Sequence, residues 1–126
     1  MALLSAARMK PGTTPLLTVM VDDEAIQDAT VYVTIKMGDR FFVKSNYYNS
    51  SDVVLEPVYN TDSEQIGTQV SVQYSQSDTL CFRPGFAEIE VGWVFSDGTA
   101  DKSNIGRVTI PKTLYGGVML YGEHSS

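Results

Sequence analysis

The chain has 126 residues, with 43% hydrophobic and 19% charged residues and a net charge of -6. That length points to one domain, able to bury roughly two thirds of its unfolded surface without disulfides or a metal. The acidic balance disfavours nucleic-acid backbones and anionic membrane surfaces. No apolar run approaches the roughly 20 residues a transmembrane helix needs.

Residues 1–14 read as a flexible N-terminal arm. Ala2 to Met9 could form a short helix, which Pro11-Gly12 would stop. Such a segment is either disordered or ordered against a neighbouring subunit. Its apolar patch precedes its basic residues, the reverse of a secretory leader, so no signal peptide is read.

The β-sandwich domain is placed at 15–121, with a frayed tail at 122–126. Leu16 to Val21 reads as a first strand. The acidic cluster Asp22-Asp23-Glu24 follows as a solvated loop, since it lacks the spacing of a calcium loop. Ala29 to Met37 alternates cleanly, with Val31, Val33, Ile35 and Met37 on one face. Gly38-Asp39 turns it into Arg40 to Lys44 as a hairpin.

Ser45 to Ser51 reads as a loop carrying Tyr47 and Tyr48. Tyrosines beside Asn and Ser are common in binding surfaces, because Tyr offers contact area at low entropic cost. Val53 to Tyr59 holds Pro57, which confines it to a sheet edge. Gln69 to Tyr74 alternates, with Val70, Val72 and Tyr74 inward. Ser75 to Thr79 suits one helical turn capped by Ser77 or Asp78, with Leu80 and Phe82 packed beneath. Cys81, the single cysteine, reads as a buried inert thiol without a disulfide or zinc partner.

The stretch from Thr79 to Ile110 organises the rest. Ile89, Val91, Trp93 and Phe95 share one face, and Glu88, Glu90, Gly92 and Val94 the other. Ser96-Asp97-Gly98-Thr99 forms the turn to a second β-run. Trp93 reads as a core anchor. Glu88 and Glu90 read as a solvated face and, with Tyr47 and Tyr48, as a candidate interaction surface. An apolar run, Val118 to Tyr121, precedes the tail.

No constellation for catalysis, cofactor or metal emerges. The single histidine, His124, sits in the tail, away from any rigid frame. No Gly-rich phosphate loop follows a strand, and Arg40 and Arg107 are isolated. Seven or eight short strands at this spacing predict an all-β antiparallel sandwich or barrel.

The segment QSDTLCFRPGFAEIEVGWVFSDGTADKS, with VYVTIK at Val31 to Lys36 and GRVTI at Gly106 to Ile110, resembles a block in bacteriophage and prophage tail and baseplate components. Those components carry an immunoglobulin-like N-terminal β-sandwich. The resemblance implies an immunoglobulin-like sandwich without the usual disulfide, since Cys81 has no second cysteine. It implies a non-enzymatic virion structural or adaptor protein, assembled in the bacterial cytoplasm. Its partners would be other phage structural proteins or further copies of itself. The alternative is a carbohydrate-binding β-sandwich using the tyrosine loop.

Overall fold

A computed structural model of the chain describes residues 2–4, 9–22 and 24–122. The alternating runs become strands because each offers one apolar row to a shared core and one polar row to water. In chain order they are β1 (Ala2–Leu4), β2 (Leu16–Asp22), β3 (Thr30–Met37), β4 (Arg40–Ser45), β5 (Val53–Tyr59), β6 (Gln65–Gln73), the helix α1 (Gln76–Leu80), β7 (Gly85–Val94), β8 (Ala100–Lys102) and β9 (Gly106–Ile110).

Two antiparallel sheets result. One has four strands in the order β1-β2-β6-β5. The other has five, β4-β3-β7-β8, with β9 pairing β7 beside β8. β7 is the hub of this second sheet. Its start pairs with β9, from Gly85↔Ile110 to Ile89↔Gly106, and its end with β8, from Gly92↔Lys102 to Val94↔Ala100. The architecture is therefore an all-β sandwich.

The inward rows meet between the sheets. Leu17, Val19, Val21, Val70 and Val72 face Val31, Val33, Ile35, Ile89, Val91 and Trp93 across one continuous core. Trp93 is buried in register with Val31. Phe42, Tyr74 and Phe82 close one end of that core, with ring centroids 5.7 to 6.1 Å apart. The hairpin turns fall where the glycines are. Gly38 and Gly98 hold φ of 61° and 90°, a region other residues enter at a cost. Pro57 lies in β5, an edge strand, where its missing N–H leaves no central ladder bond unmade.

Three expectations are corrected. Ala2–Leu4, expected to begin a short helix, instead pairs with β2 as a strand and covers its otherwise open edge, while residues 5–8 lie outside the described residues. Met9 is buried in the core and its N–H donates to the Thr109 carbonyl at 3.0 Å. Thr13 is tied to Thr79, whose hydroxyl accepts from Thr13 N–H at 3.0 Å and donates to its carbonyl at 2.8 Å. Residues 9–14 thus dock on their own chain rather than forming a free arm.

The helical turn is present, but its N-cap is Ser75 rather than Ser77 or Asp78. Ser75 and Asp78 form a reciprocal capping box. Cys81 is exposed, not buried. It is the C-cap of a five-residue helix, and the turn there sends Thr79 and Phe82 inward and residue 81 outward. His124 and Asp23 lie outside the described residues. No helix among the described residues is long and apolar enough to cross a membrane.

Candidate functional site

The outer face of the five-stranded sheet is the inverse of the core row. Burying Val31, Val33 and Ile35 forces Tyr32, Thr34 and Lys36 outward. Strand register then sets their neighbours. One cross-strand row reads Phe41, Lys36, Glu88, Arg107. The next reads Val43, Thr34, Glu90, and the third Ser45, Tyr32, Gly92, Lys102. Val94 and Ala100 follow.

Three of the four residues expected at an interaction surface converge there. Tyr48 packs edge-on to Tyr32 with centroids 6.4 Å apart, and Tyr47 to Tyr48 at 4.9 Å. Glu90 lies one row from Tyr32. Glu88 stands apart, in the row where Lys36 and Arg107 alternate with it in sign. Both loop tyrosines stay exposed, at 70% and 72%.

The loop that carries them is held from within. Asn46 Oδ1 accepts from Val31 N–H at 2.7 Å, and its Nδ2 donates to the Ala29 carbonyl at 3.1 Å. Tyr47 N–H donates to Ser45 Oγ at 3.0 Å, and Asn49 N–H to the Ser45 carbonyl at 2.6 Å. The side chains of Asn46, Asn49 and Ser45 beside the tyrosines therefore serve the backbone. The rings are what the loop presents.

Beside the tyrosines lies a groove of about 630 Å³, lined by Tyr32, Thr34, Val43, Glu90, Gly92, Trp93, Val94, Ala100, Asp101 and Lys102. Its shape comes from one row: Gly92, without a side chain, sits between Tyr32 and Lys102. Lys102 Nζ lies 3.7 Å from Glu90 Oε1, longer than the roughly 2.7–2.9 Å of a charge-assisted hydrogen bond. Sequence reading passed over Tyr32 and Gly92. The signals were an aromatic on the outward row of the cleanest strand and a glycine inside another.

A second polar cluster has a different character. Lys44 is buried on the inward row of β4. Its ammonium donates to Asp78 Oδ2 at 2.8 Å, to Asp52 Oδ2 at 2.9 Å and to the Gln73 carbonyl at 2.9 Å. It also lies 5.3 Å from the Tyr74 ring centroid. Burial alone would lower its pKa, but hydrogen bonds to Asp78 and Asp52 outweigh that and raise it. Burial pushes Asp78 up, while Lys44 and Ser75 together hold it below the ordinary carboxylate range. Burial, with the Asp78 charge, raises the Tyr74 phenol. With every ammonium proton engaged, Lys44 is a tie between β4, the loop before β5 and α1, not a base awaiting a substrate.

No protein-family model matches the chain, and a search of curated proteins finds no similar sequence.

Proposed function

We propose that the chain is a non-enzymatic structural or adaptor subunit of a phage particle, of the tail or baseplate type, working through protein–protein contacts. The observation that carries this reading is the segment after β9. Leu114, Tyr115, Met119, Leu120 and Tyr121 stand in solvent, with Leu120 at 89% and Tyr121 at 96% exposure. Apolar surface of that kind gains roughly 25 cal/mol per Å² on being covered, which favours a protein partner.

The segment is also held in place. Gln76 Nε2 donates to the Met119 carbonyl at 2.9 Å, and Met119 N–H donates to Gln76 Oε1 at 2.7 Å. That paired contact fixes the run against α1 and sets it out for docking. The residues that carry the phage resemblance lie on β3, α1, β7, β8 and β9, and this segment follows directly after β9.

The test combines location and assembly. Peptides of this chain are expected in purified phage particles from the source genome. The double variant Leu120→Asp, Tyr121→Asp is expected to fold but to fall at least tenfold in incorporation. A chain absent from particles, or incorporated equally well with both aspartates, overturns the reading.

A further inference from the structure

We propose that the groove above Gly92 binds one pyranose ring of a neutral glycan. Its volume of about 630 Å³ lies within the roughly 300–1,000 Å³ common to small-molecule sites. The argument begins with its walls. Tyr32 forms one side and is braced edge-on by Tyr48, while the Lys102 stem forms the other. Val43, Val94 and Ala100 keep the sides apolar, Glu90 and Lys102 place a carboxylate and an ammonium at the rim, and Asp101 contributes its backbone carbonyl. A ligand suited to this has apolar faces and hydrogen-bonding edges, which is the chemistry of a sugar ring.

Charge narrows the class. One carboxylate, Glu90, beside one ammonium, Lys102, leaves the rim with no net charge, so a neutral ligand is favoured. Carboxylates only accept and an ammonium only donates. A hydroxyl does both, so adjacent hydroxyls satisfy Glu90 and Lys102 together. The long Glu90–Lys102 separation of 3.7 Å leaves each with bonding capacity for a ligand.

Backbone geometry argues against an extended peptide in the same place. At the floor, β7 is paired with β3 on one side and with β8 on the other. The backbone of β7 therefore offers no free edge at the floor, where side chains meet the ligand. This inference is independent of the assembly role, since the groove does not include the segment that carries it.

The test uses the full chain and backbone amide NMR. The probes are methyl glycosides and neutral tetrasaccharides of glucose, galactose and N-acetylglucosamine, with a sialylated sugar and an unstructured peptide as further arms. At least one neutral probe is expected to shift the amides of Gly92, Val94 and Lys102 saturably, with Kd on the order of 1 mM or tighter. Gly92→Val should weaken binding at least tenfold. A Cβ there meets Lys102 Cγ at 3.6 Å, an ordinary contact, so the variant is expected to fold while filling the floor. Tyr32→Ala should weaken binding at least tenfold as well, and Tyr47→Ala less than twofold, since Tyr47 does not line the groove. The proposal is overturned if no neutral sugar shifts these amides. It is also overturned if the sialylated sugar or the peptide binds there more tightly, or if a folded Gly92→Val variant binds as wild type. Incorporation into particles is read separately, so failure of one idea leaves the other standing.

Discussion

Two lysines in this protein each meet carboxylates, with opposite consequences. Lys44 is buried and its ammonium is enclosed by Asp78, Asp52 and the Gln73 carbonyl at 2.8 to 2.9 Å. Lys102 has a side chain 71% exposed and stands 3.7 Å from Glu90. Similar residue types thus make a closed tie in one place and an open, ligand-accessible rim in the other. What separates them is water. Removing Lys44 from solvent demands that every donor find a partner, and the fold supplies them. Lys102 has water as its alternative partner, so its ion pair contributes little and can be exchanged for a ligand's hydroxyls.

The sharpest way to break that comparison is to remove each ammonium. Lys44→Met should destabilise the protein by about 3 kcal/mol, at the lower end for breaking a buried pair because Asp52 reaches water. Lys102→Met should cost about 0.5 kcal/mol or less. Urea denaturation of both variants measures the contrast, and equal losses would erase it.

Acid titration is expected to follow the same division. Asp78 is held below its ordinary carboxylate value in the folded protein. The stability it contributes is therefore complete above the unfolded pKa and is lost as pH falls through the folded pKa. Lys44 is raised above the ordinary lysine value, so its contribution is complete below that value and is lost as pH rises through the folded pKa. Both contributions are intact at neutral pH. Asp78→Asn should flatten the acid limb of a stability–pH curve, while Lys102→Met should leave it unchanged.

An effect of the opposite sign is expected next to Lys44. Among the described residues, Tyr74 Oη is the buried side-chain polar atom with no hydrogen-bond partner. Tyr74→Phe removes that unsatisfied group and keeps the ring that packs on Phe42 and Phe82. Stability should be unchanged or rise by up to about 1 kcal/mol in the same denaturation assay. A clear loss would mean that the hydroxyl has a bonding role.

Much of the frame is local and is written in the chain. Val31, Val33 and Ile35 must be buried together because their spacing puts them on one side of any strand. Trp93 follows Ile89 and Val91 into the core for the same reason. Gly38-Asp39 and Asp97-Gly98 mark turns, and Pro57 marks an edge, through backbone properties each residue carries wherever it stands. Tyr47 and Tyr48 are exposed, as a polar loop between strands suggests.

The rest depended on which strands became neighbours. Lys44 stands on the inward row of RFFVK, but its carboxylates come from 8 and 34 residues further on. Met9 has no periodic partner in sequence, and its place in the core follows from the bond to Thr109 across the whole domain. Cys81 reads as apolar from Leu80 and Phe82, yet the geometry of a short helix turns it outward. The groove is the clearest case. Tyr32, Gly92 and Lys102 are separated by 60 and 10 positions and share a row only through β-pairing. Sequence by itself determined which face each side chain takes, because that is set within a strand. Tertiary structure decided who stands beside whom, because register between strands is set by the burial of both partners together.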